Sequence, residues 1–396
     1  MTGGAQPAGR SGPDAAPAQH RGAPRPEPLE ASPSSALYRG RPLRVLHGVY
    51  EIAGQGMLLA RALREAGCDA RCLSYKVDWD GRGGDIVVDL DRRRGEALKG
   101  AAMFTAFLRW AAFFDVFHFH FGTTILPRQW DVPLLRRLGK KIAFHFHGCD
   151  VRDRAHMLRA HRFSTCTECD PFCRPRRQRW LLEQAARYGD RVFFSTLDLA
   201  ESVPGAVPLP LAVDTGRCAE AGTRLALPEP GRRDGVRGSV VIGHAPTNRL
   251  IKGTCFVVAA VERLRREFPL VELRMMERRP WAGVPEFLAG CDIVVDQLLM
   301  GWYGVLAIEG MATGRAVVLR LRDDLRGARP EPPVVNADPA TLEEALRALI
   351  QDPARRSALG AAGAAFARQH HDTQVVGRQL LHIYMGLLGA RAGAEA

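Results

Sequence analysis

The chain has 396 residues, 46% of them hydrophobic and 25% charged, and 55 Lys and Arg stand against 43 Asp and Glu for a formal net charge of +12. That is the balance of a soluble globular protein. A membrane-spanning helix is excluded because the longest apolar candidate, Ala101–Phe114, is broken by Arg109 and followed by Asp115.

Residues 1–41, rich in Pro, Gly and Ala without an apolar period, read as a disordered tail, and order is expected from Leu43. Leu43–Tyr50 reads as a buried first strand, followed by the Glu51–Gly56 loop and an amphipathic helix over Met57–Ala66. Further strands are predicted at Arg71–Tyr75, Asp85–Asp89, Val116–Phe121, Ile142–His147 and Val192–Thr196. Helical patterns at Glu96–Phe114 and Arg179–Tyr188 lie between them. An Arg-, Pro- and Gly-rich linker, Pro228–Gly238, separates a second series. Its strands are Ser239–Gly243, Leu270–Met276, Asp292–Asp296, Ala316–Leu319 and Val334–Asn336. Its helices are Gly253–Glu267, Val305–Ala312, Thr341–Gln351 and Pro353–Gln369, with a last helix over His371–Leu388. Strands alternating with helices predict an α/β protein of two Rossmann-like, doubly wound domains, 42–228 and 239–370, facing each other across a cleft. Residues 371–396 then form a closing segment. Ligands of open α/β sheets bind beyond the carboxyl ends of the strands, which places the site in that cleft.

The residues able to do chemistry fall at those strand ends. Gly54-Gln-Gly56 is either a cradle for an anionic group at a helix N-terminus or an ordinary tight turn; it lacks the third glycine of a dinucleotide fingerprint. His118 and His120, and His145 and His147, place pairs of imidazoles on one face of adjacent strands. They suit a metal ion, or hydrogen bonds across the cleft. His147, followed by Gly148 and Asp150, is placed to touch a substrate hydroxyl. Cys166, Cys169 and Cys173 offer three ligands to a structural zinc, or are a local disulfide or structural thiols. Arg249 and Lys252, between a strand and a helix, suit a diphosphate. Glu309, an acid on an otherwise apolar helix, needs partners; a ribose diol would supply two hydroxyls. The amides at Gly304 and Val305 open that helix toward a phosphate.

At these residues the chain resembles retaining glycosyltransferases of the GT-B fold, family 4, from about Leu43 to its C-terminus. The resemblance rests on Asp115-Val-Phe-His-Phe-His120, His147-Gly-Cys-Asp150, Leu209-Pro-Leu-Ala-Val-Asp214, the Lys252-Gly loop, Ile308–Val318, Asn336-Ala-Asp-Pro339 and the helical segment Thr373–Leu388. It implies transfer of a hexosyl group from a nucleoside-diphosphate sugar to an acceptor hydroxyl with retention, no cofactor and no catalytic metal. Arg249 and Lys252 would neutralise the diphosphate, Gly304 and Val305 would offer amides to it, and Glu309 would hold the ribose. His147 would lie near the transferred sugar, and the Gly54–Gly56 loop would close over the site. It further implies that the closing helix returns to the first domain. The chain departs from the family where a first acid is usual eight residues before Glu309: Gly301 stands there, with Asp296 or Gln297 as candidates to reach in. Its Arg-to-Lys spacing is also shorter. The rival readings are a GT-B protein that binds a sugar nucleotide without transfer, and a nucleotide-dependent oxidoreductase.

The acceptor, whether glycan, lipid-linked or a small molecule, is not legible. No basic helix with an aromatic platform marks a nucleic-acid partner. Nine cysteines and the absence of an apolar leader in the first 36 residues fit a cytoplasmic protein. The helix at Glu96–Phe114 and the loop Arg174–Arg179 offer peripheral contact with the inner membrane face, or are a buried helix and a solvated loop.

Overall fold

The computed structural model describes residues 36–78, 81–167, 173–225, 239–327 and 330–389, and the backbone of 232–233 and 236–237. Order starts ahead of Leu43, inside the stretch read as a tail. Ala36 is buried, and β1 (Leu37–Tyr38) pairs antiparallel with β2 (Arg41–Pro42). Arg41 anchors this hairpin with its guanidinium forked on the Asp115 carboxylate, both contacts at 2.8 Å.

A seven-stranded parallel sheet follows, built from β3 (Arg44–Val49), β4 (Asp69–Ser74), β5 (Ile86–Val87), β6 (Val116–His120), β7 (Lys141–Phe146), β8 (Arg191–Phe194) and β9 (Val207–Pro208). Its order is β5-β4-β3-β6-β7-β8-β9. After a short pair, β10 (Arg232–Arg233) and β11 (Val236–Arg237), comes the second sheet. It contains β12 (Val240–His244), β13 (Val271–Met275), β14 (Ile293–Val295), β15 (Ala316–Leu319) and β16 (Val335–Asn336), in the order β13-β12-β14-β15-β16. In each sheet the order reverses beside the first long strand, as the expected doubly wound α/β class requires. The linker Pro228–Gly238 lies largely outside the described residues.

Both sheets carry helices on both faces, so their strands are apolar without alternation. Ile293–Val295 and Ala316–Leu319 are buried throughout. Buried imidazoles interrupt these runs: His47 in β3, His118 and His120 in β6 and His145 in β7 of the first sheet, and His244 in β12 of the second.

The helix Glu96–Ala111 stops short of the predicted Phe114 because Phe114 turns into the core, its ring edge-on to Phe113 and Phe117. It is not the buried helix of the simpler reading: Leu98, Phe104 and Leu108 are more than half exposed, beside the exposed Arg92, Arg93 and Arg94.

The helix Val305–Ala312 is enclosed between β15 and the helix Pro353–His370. Contact this close needs glycine: a Cβ at Gly360 would lie 2.2 Å from the carbonyl oxygen of Gly314. Beyond it the chain crosses back. Val213 bridges Asp372, and the helix Thr373–Leu387 lies along the helix Gln55–Glu65, where a Cβ on Gly377 would approach Ala62 Cβ to 2.5 Å. Val376, Leu380 and Tyr384 share one core with Val45, Leu59 and Leu63. The closing helix is thus part of the first unit's packing.

The two units also touch directly. Thr165 N donates to Leu299 O at 3.0 Å, Arg320 Nη1 donates to Phe163 O at 2.7 Å, and Arg322 pairs with Glu201.

Candidate functional site

At the carboxyl end of β12, Asn248 caps a single helical turn, Arg249–Lys252, its side-chain oxygen accepting from Leu250 N and Ile251 N at 3.0 and 3.2 Å. Gly253, at φ +75°, ends the turn, and Lys252 points inward. Lys252 Nζ lies 2.8 Å from Asp296 Oδ1 and 2.5 Å from Gln297 Oε1. Asp296 follows β14, is fully buried, and accepts on its other oxygen from Gly304 N at 3.2 Å. Gly304 is the N-cap of the helix Val305–Ala312, so Val305 opens it. A lysine and the amide at a half-buried helix N-terminus therefore converge on one carboxylate. This is an anion-holding geometry, favoured further by the helix dipole. Arg249 is not part of it: its guanidinium forks on Glu277 at 2.7 and 2.5 Å and is largely in solvent.

Glu309 lies on the same helix, buried, with Trp281 Nε1 donating to its Oε1 at 2.8 Å. Burial pushes its carboxyl up to about 7, opposed by the Trp281 hydrogen bond and by the charges of Arg82 and Arg217. Both guanidinium groups also lie over the Trp281 ring, 5.9 and 4.8 Å from its centroid. Arg82 comes from the first unit and runs past Gly54, where a Cβ would sit 3.6 Å from Arg82 Cδ. Gly54, Arg82, Trp281 and Glu309 are thereby strung across the cleft.

The Gly54–Gly56 loop holds an anion of its own. Glu51 accepts from Gly56 N at 3.1 Å and Met57 N at 3.2 Å, and burial pushes it up to about 7. The Gly56 amide, expected to face a ligand, faces Glu51. Glycine is needed there because a Cβ would meet Glu51 Oε2 at 2.8 Å and Cys72 Sγ at 2.9 Å.

His147, just past the end of β7, is held on both nitrogens. Nε2 lies 3.0 Å from His120 Nδ1, and Nδ1 lies 2.7 Å from Ser195 Oγ. His120 Nε2 meets His47 Nδ1 at 3.2 Å, and Ser195 Oγ meets His145 Nε2 at 3.0 Å. His118 Nδ1 meets Tyr384 OH on the closing helix. Burial drives all five imidazoles far below the usual histidine range, so they are neutral, each with one donor and one acceptor nitrogen. Of the strand-end histidines, His120 and His147 hydrogen-bond to each other, whereas His145 is held by Ser195 and His118 by Tyr384. Asp150 does not reach outward: it accepts from His147 N and Gly148 N and shapes that turn.

Cys166 is buried beside Met157 and Cys173 packs against them, whereas Cys169 lies outside the described residues. Gly301 has φ +88°, and a Cβ there would strike Arg322 Cγ at 2.6 Å. Where an acid was expected, the space is filled by the buried Arg322, which pairs with Asp324 at 2.6 Å and with Glu201. The residues that sequence reasoning did not single out are His47, Ser195, Trp281, Arg82 and Arg217. His47 and Ser195 carry a legible signal, a polar residue within or just after an apolar strand run; Trp281, Arg82 and Arg217 meet only through folding.

No family model matches the chain, and no curated protein matches its sequence. Solved structures match its fold. A sucrose-phosphate synthase from Thermosynechococcus elongatus superposes with TM-score 0.61 at 17% identity, covering 88% of this chain and 100% of that one. A UDP-forming α,α-trehalose-phosphate synthase from Burkholderia xenovorans gives TM-score 0.55 at 17% identity, covering 89% and 100%. HepE of Anabaena in complex with UDP-glucose gives 0.55 at 13% identity, covering 86% and 99%. The chain has the GT-B fold of these proteins.

Proposed function

We propose that the protein transfers a hexosyl group from a nucleoside-diphosphate sugar to an acceptor hydroxyl, with retention and without a catalytic metal. One observation carries the reading: Lys252 Nζ and the Gly304 amide converge on the two oxygens of the buried Asp296 carboxylate. In this reading the donor diphosphate displaces Asp296 from that cation and that helix N-terminus. Glu309, on the same helix, then takes the ribose hydroxyls. Charge that develops on the leaving diphosphate is met by Lys252, the amides at Gly304 and Val305, and the helix dipole, which together replace a metal ion. Arg82 supplies a second cation from across the cleft, a role its position supports better than that of Arg249. His147, with both nitrogens engaged by His120 and Ser195, lines the cleft near the transferred sugar with its ring. Among the described residues, the raised carboxyls Glu51 and Glu309 are engaged by backbone amides and by Trp281, which fits proton transfer from the acceptor to the leaving phosphate.

The structural neighbour HepE binds UDP-glucose, which makes UDP-sugars the first donors to try. A thermal-shift screen against UDP-, ADP-, GDP- and dTDP-sugars, with NAD(P) as control, tests binding; at 100 times its dissociation constant a ligand stabilises by about 2.7 kcal/mol. Lys252→Ala should then lower kcat/KM by about 100-fold or more while leaving the fold intact. An unchanged rate removes Lys252 from the mechanism. A stabilising sugar nucleotide with no product from any acceptor favours the second reading, binding without transfer, to which Gly301 and the Arg322 side chain beside it point. Stabilisation by NAD(P) alone overturns both.

We also propose a cytoplasmic protein that rests on anionic membrane through the exposed Leu98, Phe104 and Leu108 beside Arg92–Arg94. Co-sedimentation with phosphatidylglycerol vesicles, lost in Leu108→Glu, checks this.

A further inference from the structure

The histidine cluster beneath the cleft is larger than substrate orientation requires. One ring at a strand end would serve that purpose, yet five imidazoles from β3, β6, β7 and the residue after β7 occupy one face of the first sheet. One nitrogen from each of His120, His145 and His147 lie within 4.8 Å of one another. His120 Nδ1 and His147 Nε2 are 3.0 Å apart. Two nitrogens bound to one tetrahedral zinc ion at about 2.05 Å stand about 3.3 Å apart, so this pair needs little movement.

Two features beside the spacing set this cluster apart from an ordinary core contact. First, His145 Nδ1, His47 Nε2 and His118 Nε2 are buried without a hydrogen-bond partner among the described residues. Native cores rarely leave such atoms unmatched. Second, the outward nitrogens are already held in the manner of a metal's outer shell. His120 Nε2 rests on His47 Nδ1, and both His147 Nδ1 and His145 Nε2 rest on Ser195 Oγ. Those bonds admit the tautomers that a metal needs: with protons on His120 Nε2, His147 Nδ1 and His145 Nε2, the lone pairs of His120 Nδ1, His147 Nε2 and His145 Nδ1 are left for the ion.

The geometry points to a divalent metal site of the zinc class formed by His120, His145 and His147, with His47 and Ser195 as positioning residues. Binding trades the His120–His147 hydrogen bond for two metal–nitrogen bonds and gives the unmatched His145 nitrogen a partner. The proton shared on that edge moves to the other nitrogen of the ring that carries it, which then donates to His47 or Ser195, so the rings stay neutral and no net proton is released. Of the three, only His147 is partly open to the cleft, so the fourth coordination position faces the cleft side. An all-imidazole set favours zinc, copper or nickel over magnesium or calcium.

The test is a metal titration of the chelator-treated full chain, with Zn²⁺ by calorimetry and Co²⁺ by visible absorption. One equivalent should bind, with the intense bands of tetrahedral cobalt. His145→Gln should weaken binding at least tenfold, and Ser195→Ala about tenfold through the outer shell, with circular dichroism confirming that each variant is folded. A second cluster, His156, His161 and Glu201, serves as the internal control, and His161→Ala should leave the titration unchanged. Absence of a bound equivalent at micromolar Zn²⁺, or loss of binding in His161→Ala with retention in His145→Gln, overturns the assignment. The readout is stoichiometry and spectrum, so it stands or falls independently of glycosyl transfer.

Discussion

The buried carboxyl of Glu309 decides how the site responds to pH. Burial holds Glu309 up to about 7, above its ordinary 4.5. A folded-state value above the unfolded one means that the folded protein binds the extra proton. The penalty is therefore absent below pH 4.5, grows as pH rises to about 7, and is constant above that. Glu309→Gln escapes it. Its stability relative to the parent should be unchanged at pH 4.5 and greater at pH 8 by about 3 kcal/mol, at about 1.4 kcal/mol per pH unit, as urea unfolding at both pH values would report. The same variant should lose nucleotide binding, because a neutral amide accepts ribose hydroxyls less well than a carboxylate. In the parent, affinity should rise through pH 7 as Glu309 ionises. A pH-independent affinity would place the ribose elsewhere. Glu309 was singled out in the sequence as an acid on an apolar helix, but its partner Trp281 could not be, since 28 residues and a strand crossover separate them.

At the scale of elements, the closing helix Thr373–Leu387 tests how the first unit is held together. Gly377 allows it to touch the helix Gln55–Glu65, and Tyr384 reaches His118 through the sheet face. Gly377→Val forces the two helices apart and should cost about 1–3 kcal/mol in chemical denaturation. Tyr384→Phe removes one buried hydrogen bond and leaves His118 Nδ1 unmatched as well as Nε2, for about 1–3 kcal/mol. If either change were silent, the helix would be an appendage and not part of that core. Most elements were legible from apolar runs and their breaks, within a few residues at each end. The helices Asp131–Arg137, Arg154–Ala160, Thr215–Arg224 and Val284–Ala289 were not read from the sequence, and the end of the helix Glu96–Ala111 was overrun because Trp110, Phe113 and Phe114 continue an apolar pattern that serves core packing and not helix. Periodicity does not distinguish the two.

For the whole molecule, the issue is how the two units meet. Arg322, almost fully enclosed, is shared between Asp324 of its own unit and Glu201 of the other. Removing Glu201 leaves the cation with one partner. Glu201→Gln should lower global stability by about 1–2 kcal/mol, less than the loss of a fully buried pair because Glu201 is partly solvated and Asp324 remains. It should also increase the radius of gyration in small-angle scattering as the units separate. An unchanged radius would mean that the backbone bond from Thr165 to Leu299 and the shared closing helix hold the units without it.

The sequence by itself determined the class of fold, the two doubly wound units, and the positions at strand ends where chemistry gathers. These follow from local periodicity and from the rule that parallel sheets bind ligands at their carboxyl edge. It also marked Lys252, Gly304 and Glu309 as a group, because a loop and one helix of the second unit carry all three. Tertiary structure alone decided the partners: that Arg249 turns to Glu277, that Glu51 occupies the Gly56 amide, that Arg322 fills the space beside Gly301, and that four imidazoles join with Ser195 in one network. The physical reason is range. A strand's burial is written in its own residues, whereas a charge or an imidazole is satisfied by whichever group the fold brings within 3 Å of it, and that group can lie anywhere in the chain.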